Sequence, residues 1–309
     1  MTTVFFHSDL DDPESWKRTL QAALPDLCFF EGPSCAQPER VDVALVWTPP
    51  PQGLNAFPNL KAVLSLGAGV DQLHLEKLSP GIPVARLKDP TLTQRMVEYC
   101  LSGVLYFHRH LHLHARHQTA HEWRFIAPVS ASDRRVLVLG LGELGSAVSL
   151  SLVSHGFQVA GWSRSPKQLT GVECFHGDAL PAQALGECDV IINLLPLTAR
   201  TRGLLDSRFF EQLRTGTCLI QVGRGGHIVE HDLIRALKQG HLAGALVDVF
   251  DVEPLPADHP FWSCPGLVLT PHVASLSDPN HSATTVIENI RRAMHGEVLL
   301  NAVDRVIGY

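Results

Sequence analysis

The sequence predicts an α/β protein of two domains built on mainly parallel sheets. Three observations lead there. Short apolar segments alternate with helix-like segments along the chain. Val136-Leu137-Val138-Leu139 is apolar on both faces, as a central parallel strand must be. A helix-like stretch from about Thr91 to His117, free of proline, separates two such alternating blocks.

In the first block, Val4-Phe5-Phe6 is a short strand. Asp12-Pro13 is an N-cap followed by proline at the first helical position, opening a helix to about Leu24. Strands follow at Val41 to Trp47, closed by Pro49-Pro50-Pro51, at Ala62 to Leu66, ending in Gly67-Ala68-Gly69, and at Ile82 to Leu87. After the long helix the second block offers strands at Val136–Leu139, Val159–Trp162, Val190–Leu194, Cys218–Val222, Ala245–Val249 and Val268–Leu269. Helices lie between them, among them Ser146 to about His155 and Leu233 to Lys238. A last helix from about Ser282 to Gly296 precedes a short tail, Asn301 to Tyr309.

The composition narrows the function class. With 309 residues and 45% hydrophobic content there is material for two packed cores. A formal net charge of −6 gives no global attraction to nucleic acid or anionic lipid. The seven cysteines are odd in number and include no C-x-x-C pair, the usage of a reducing compartment. The start of the chain lacks a basic, apolar signal segment. The longest apolar candidate, Val136 to Val153, is interrupted by Gly140, Gly142, Glu143 and Gly145. The expectation is a cytoplasmic protein without membrane or nucleic-acid partners.

Gly140-Leu141-Gly142-Glu143-Leu144-Gly145 fits G-x-G-x-x-G, directly after an apolar strand and at the opening of a helix. In that context Gly140 permits the tight turn, Gly142 leaves room for a pyrophosphate, and Gly145 lets helix and strand approach. The helix start offers backbone N–H groups and a positive dipole end, and Glu143 and Leu144, within the fingerprint, are counted among the cofactor-binding residues. This is a Rossmann-type dinucleotide fingerprint. About 20 residues on, where NAD sites carry an acid, the chain reads Ser163-Arg164-Ser165-Pro166-Lys167. Two cations and two hydroxyls suit a 2′-phosphate, so NADPH is the expected cofactor, with NADH as the alternative if the loop is merely solvated.

Three further segments place polar residues just after apolar strands, at the edge where open α/β sheets bind ligands. They contain Arg224, Glu253 and His272. Reduction of a 2-oxo acid needs a cation for the carboxylate and carbonyl oxygen, which Arg224 supplies. It needs a proton donor, and histidine suits that role near neutral pH. A carboxylate behind the imidazole, Glu253, would fix its tautomer.

Taken together, the chain resembles the D-isomer-specific 2-hydroxyacid dehydrogenase family. Within it, the chain is most similar to the bacterial glyoxylate/hydroxypyruvate reductase A group. The resemblance rests on Arg86-Leu87-Lys88-Asp89 with Arg95-Met96-Val97-Glu98-Tyr99, on Trp162-Ser163-Arg164, and on Asn193-Leu194-Leu195-Pro196. The Phe250 to Pro256 segment and the closing Val303-Asp304-Arg305 with Gly308-Tyr309 add to it. It implies Arg224, Glu253 and His272 as catalytic residues. It implies a substrate-carboxylate loop, Leu66 to Asp71, using Ala68 and Gly69, and a pocket tryptophan, Trp47, which read alone is equally an ordinary core residue. Leu195, Pro196, Thr198 and Val222 fall on the cofactor side, and Asp248 at the nicotinamide carboxamide. It also implies a Rossmann-type cofactor domain, residues 98–273, inserted into a flavodoxin-like substrate domain of residues 1–97 and 274–309, and a homodimer. One departure is Ala274-Ser275-Leu276-Ser277-Asp278, which leaves the outer pocket shape open.

The expected function is NADPH-preferring reduction of glyoxylate or hydroxypyruvate. Another D-2-hydroxy acid dehydrogenase, or a non-catalytic NAD(P)H-sensing module, is the alternative. A histidine-rich stretch, His108, His110, His112, His114, His117 and His121, pairs its imidazoles at spacings of one helix face. No third ligand declares itself, so it reads as an exposed or interface helix, and no metal is expected.

Overall fold

The structure, a computed structural model, describes residues 1–305. The strands are β1 (Thr3–His7), β2 (Cys28–Glu31), β3 (Val43–Val46), β4 (Ala62–Ser65), β5 (Val84–Ala85) and β6 (Arg135–Leu139). They continue as β7 (Gln158–Ser163), β8 (Val172–His176), β9 (Val190–Asn193), β10 (Thr217–Gln221), β11 (Leu242–Val247) and β12 (Leu267–Leu269). The helices are α1 (Pro13–Ala23), α2 (Pro90–His108), α3 (Leu111–Thr119), α4 (Glu143–Ser154), α5 (Ala182–Glu187), α6 (Ser207–Glu211), α7 (Glu230–Lys238) and α8 (Pro279–His295). The chain divides into two compact units. One is Met1–Leu92 with the described part of Leu276–Tyr309, the other is Thr93–Ser275. The family-like closing pair Gly308-Tyr309 lies outside the described residues.

The first unit is a five-stranded parallel sheet of order β2-β1-β3-β4-β5, the flavodoxin-like order. Strand periodicity divides its side chains between two faces. Val4, Phe6, Val43 and Leu45 face Trp16 and Leu20 of α1 and Val286 and Ile290 of α8. Phe5, Ala44 and Val46 face Leu54, Phe57 and Leu73 on short turns of helix. Asp12 caps α1 through the Ser15 N–H, and Asp278 caps α8 through the Asn280 N–H. The strand expected over Ile82 to Leu87 shortens to two residues. Beyond Ala85 the backbone leaves the ladder: the Arg86 N–H donates to Asn301 and the Leu87 N–H to Gly67.

The second unit is a seven-stranded parallel sheet of order β12-β11-β10-β9-β6-β7-β8. Its order reverses between β6 and β9, the Rossmann switch point. Leu137, Leu139, Ile191 and Leu219 pack against α5, α6 and α7. Val136, Val138, Ile192 and Ile220 pack against α2 and α4. Two edge strands, β2 and β8, escaped the sequence reading because neither is a buried apolar run: β8 reads Val-Glu-Cys-Phe-His. All seven cysteines are free thiols, and burial pushes Cys188 and Cys218 up to about 12, which keeps them as apolar filling. Among the described residues no helix is long and apolar enough to cross a membrane.

The long helix expected from Thr91 to His117 is two helices. It breaks at His110, which is left-handed with φ 57°. In a straight helix His112 would sit five residues, about 140°, round from Phe107. The break returns it, so that its ring lies 5.2 Å from that of Phe107 and is buried. Burial lowers His112 to about 4, so it packs as a neutral ring. None of the three histidine pairs shares one helix, because the break separates His108 from His112 and places His110 outside α3, and His121 follows its end. Among the described residues no group of three His, Cys, Asp or Glu could hold a metal.

Glycine spacing fixes how α4 meets β6. A Cβ at Gly145 would lie 1.7 Å from the Gly140 carbonyl oxygen, whereas one at Gly142 meets nothing within 4 Å. Gly145→Ala should therefore cost about 1–3 kcal/mol or more by overpacking, while Gly142→Ala should stay within about 0.5 kcal/mol of the parent. Denaturant unfolding of both variants checks this; equal stabilities would contradict the packing.

Candidate active site

The site grows from loops at the C-terminal edge of the second sheet. β6 delivers the chain into Gly140, whose φ of 100° only glycine adopts without strain. Its Cα approaches so closely that a Cβ would stand 2.8 Å from the Leu194 carbonyl oxygen, on the loop after β9. The glycine turn and the Leu194–Pro196 loop thus meet at the switch point. α4 begins at Glu143, inside the fingerprint, with no side-chain cap. The open space before Gly142 and an uncapped twelve-residue helix are what a pyrophosphate needs, so the residues fit a dinucleotide.

β7 lies beside β6 in parallel, with Leu139 opposite Trp162, and the Gly140 N–H donates to the Trp162 carbonyl at 2.8 Å. Ser163, Arg164, Ser165 and Lys167 therefore emerge next to the glycine turn. The Ser163 hydroxyl donates to the Ser165 carbonyl at 2.8 Å, while Arg164, Ser165 and Lys167 are exposed. The side chains of Leu195 and Val222 are buried in the core and that of Leu144 packs against it, which leaves their backbone as the part that could face a cofactor. Pro196 is exposed, and the Thr198 N–H donates to the Thr201 hydroxyl at 2.9 Å.

Arg224, Glu253 and His272 come together from three loops. The Nδ1 of His272 lies 2.7 Å from Glu253 Oε2, and the Phe250 N–H donates to Glu253 Oε1 at 2.8 Å. Burial pushes the Glu253 carboxyl up. The hydrogen bonds from His272 and Phe250 and the charges of His272 and Arg224 outweigh it, and the net direction is down. A Cβ at Gly225 would lie 1.9 Å from the Phe250 carbonyl carbon, so only glycine lets the Arg224 loop close on the Glu253 loop.

His272 is itself left-handed, φ 55°, a conformation unfavourable for a residue with a Cβ. Asp248 holds it there. The Asp248 carbonyl accepts the His272 N–H at 2.9 Å. Its buried carboxylate accepts the Thr270 hydroxyl at 2.6 Å and the N–H groups of Val273 and Ala274 at 2.9 Å each. Burial pushes this carboxyl up, against the lowering by Thr270, Ala274, Val273 and His272. With Thr270 donating to Asp248, the Tyr99 hydroxyl on α2 must donate to Thr270. Three of roughly four acceptor positions on Asp248 are thus used inside the protein. The sequence singled out Asp248 but not this clamp, and Asn193, Gln221 and His227, buried beneath Arg224, were not singled out as functional.

In the first unit, Ala68 and Gly69 form the partly exposed tip of a loop between buried Leu66 and Val70. The Ser65 hydroxyl ties the loop, donating to the Gly69 carbonyl at 3.0 Å and accepting the Gly67 N–H at 3.2 Å. The Trp47 indole lies on Gly67, where a Cβ would stand 2.4 Å from Trp47 Cζ3. Trp47 is therefore half-buried against both the core and the loop.

Comparison with known proteins gives the same picture. The model for the NAD binding domain of D-isomer specific 2-hydroxyacid dehydrogenase matches residues 101–274. Glyoxylate/hydroxypyruvate reductase A of Photorhabdus laumondii subsp. laumondii is 38% identical over 315 residues, covering 100% of both chains. The D-isomer specific 2-hydroxyacid dehydrogenase from Xanthobacter autotrophicus Py2, solved in complex with NADPH and MES, is 43% identical. It has a TM-score of 0.91 over 100% of this chain and 99% of that one. The NADPH-dependent glyoxylate/hydroxypyruvate reductase from Sinorhizobium meliloti, solved with NADP and sulfate, is 35% identical, with a TM-score of 0.89 over 100% of both chains. With a fingerprint, a two-sheet architecture and full-length relatives in agreement, the chain belongs to the D-isomer specific 2-hydroxyacid dehydrogenase family of NAD(P)-dependent oxidoreductases.

Proposed function

We propose that this protein is an NADPH-preferring reductase that converts short 2-oxo acids, glyoxylate and hydroxypyruvate, to 2-hydroxy acids. The observation that carries the reading is the His272–Glu253 pair at 2.7 Å, with the Arg224 charge bearing on the same carboxylate. The names of the full-length relatives support the substrate class.

The second unit is assigned the cofactor and the chemistry. Gly140, Gly142, Glu143, Leu144 and Gly145 would present the α4 N-terminus to the pyrophosphate. Arg164, Ser165 and Lys167 would hold the 2′-phosphate, with Ser163, whose hydroxyl is turned to the Ser165 carbonyl, shaping the loop rather than donating to the phosphate, while Leu195, Pro196, Thr198 and Val222 line the remainder and Asp248 offers its last acceptor position. When bound, reduced nicotinamide supplies the hydride to the carbonyl carbon. Arg224 binds the carboxylate and stabilises the charge that develops on the carbonyl oxygen. The Nδ1 of His272 is engaged by Glu253, so Nε2 is the atom that delivers the proton to that oxygen. Glu253 holds the ring and balances the imidazolium. The first unit is assigned substrate binding, with the Ala68 and Gly69 amides as anion donors and the Trp47 indole limiting chain length. A homodimer in the cytoplasm completes the proposal, supported by exposed Trp123 and Phe125 beyond α3 and by the free thiols.

Three outcomes are expected. His272→Ala should lower turnover of glyoxylate by about 10²–10⁴ and leave NADPH affinity intact; stopped-flow kinetics with near-full turnover would sink the assignment. Arg164→Ala should weaken NADPH by about tenfold with little change for NADH, and an unchanged ratio of the two affinities would remove the phosphate role. The Glu253 carboxyl lies below its ordinary 4.5 in the fold, so its stabilisation is present above that pH and is lost as pH falls through the folded value. The stability gap between the parent and Glu253→Gln in urea should therefore be steady near neutrality and narrow in acid. A gap that stays constant through acid pH would contradict the pairing.

A further inference from the structure

Beneath Arg224 lies a polar cluster with no solvent exposure: Asn193 at the end of β9, Gln221 at the end of β10, and His227. Its hydrogen bonds admit one assignment. The His227 Nδ1 lies 3.1 Å from the Arg224 N–H and 3.1 Å from the Asn193 amide nitrogen. Both are donors, so Nδ1 carries the lone pair and Nε2 carries the hydrogen. Nε2 lies 3.3 Å from the Pro196 carbonyl and donates to it. The Asn193 amide also donates to Gln221 Oε1 at 2.8 Å, and its oxygen accepts the Leu195 N–H at 3.3 Å. The Gln221 amide donates to the Arg224 carbonyl at 2.8 Å.

Both backbone polar groups of Arg224 are thus held by buried side chains, the N–H by His227 and the carbonyl by Gln221. The same network holds the Leu195 N–H and the Pro196 carbonyl. At Gly223 a Cβ would lie 3.0 Å from His227 Nδ1, so the loop lies flat on the imidazole. We propose that Asn193, Gln221 and His227 are positioning residues that aim Arg224 at the substrate, and that His227 links Arg224 to the Leu195–Pro196 loop that lines the cofactor site. This rests on the reading of Arg224 as the substrate-binding cation.

The two ring nitrogens can be separated by substitution. An asparagine carries its polar atoms near the position of Nδ1, a glutamine near that of Nε2. His227→Asn keeps an acceptor for the Arg224 N–H and drops the donor to Pro196. It should weaken NADPH, titrated by its fluorescence, by about tenfold, while the glyoxylate KM moves less than about twofold. His227→Gln does the reverse, raising the glyoxylate KM by about tenfold with NADPH affinity close to the parent's. A network that served only stability would lower the melting temperature of both variants without splitting the two constants, and that result overturns the proposal. Should the His227 variants fail to fold, Gln221→Met keeps the volume and removes the donor to the Arg224 carbonyl. It should raise the glyoxylate KM alone, and an unmoved KM overturns the proposal. Arg224→Lys in the parent separates the two readings. Lost glyoxylate turnover there leaves the role of Arg224 standing whatever the network variants do, whereas retained turnover removes that role and the proposal with it.

Discussion

The buried carboxylate of Asp248 is the constraint on which the site depends. It stands at the end of β11, where the strand has just left the sheet, and it gathers three donors from the loop after β12. A left-handed histidine is unfavourable by about 1–3 kcal/mol, and within Thr270-Pro271-His272 it is helped by one local bond, the His272 N–H to the Thr270 carbonyl at 3.1 Å. The clamp supplies the rest: a backbone bond to His272 on one side and side-chain bonds to Thr270, Val273 and Ala274 on the other. With the backbone held, the imidazole meets Glu253 at 2.7 Å. A group that must transfer a proton within hydrogen-bond reach gains most from such pre-set geometry.

The parallel sheet divides the work along its edge. β6 and its glycine turn stand at the switch point, and β7 beside it carries the cations that would read the 2′-phosphate. On the other side of the switch point, β10, β11 and β12 deliver Arg224, the Asp248 and Glu253 segment, and His272 in strand order. A parallel sheet sends all its C-terminal loops to one side, so residues far apart in sequence converge without a long loop to carry any of them. The close glycine contacts, Gly140 on Leu194 and Gly225 on Phe250, let neighbouring loops touch by their backbones and transmit position between them.

Most of this framework was legible in the sequence because it rests on local signals. An apolar strand followed by G-x-G-x-x-G, an Asp-Pro helix start, and polar residues just past apolar strands all carry their meaning within a few positions. What escaped depends on contacts between distant positions. β2 and β8 are edge strands with mixed faces, so no buried apolar run marks them in the sequence. The break at His110 has neither glycine nor proline to announce it, and it follows from the packing of His112 on Phe107. Asp248 was visible as a residue of the site, yet its use as a clamp depends on N–H groups 25 and 26 residues later. Asn193 and Gln221 had a faint signal, as polar residues ending otherwise apolar strands, while His227 read as one more histidine in a glycine-rich turn.

The chemistry of the supports matches the charge each must hold. On the proposed reading His272 passes through an imidazolium, and carboxylates stand behind it, Glu253 on the ring and Asp248 under the loop. Arg224 has the opposite requirement. On the proposed reading its charge is presented to an incoming carboxylate as well as to Glu253. The side chains that hold its backbone are two amides and an imidazole whose Nδ1 must accept hydrogen bonds, so the network fixes position while contributing no net charge. Burying neutral groups also avoids the desolvation that an ion in the same place would incur. On the proposed reading, the support beneath His272 and Arg224 matches the charge each would present during the reaction.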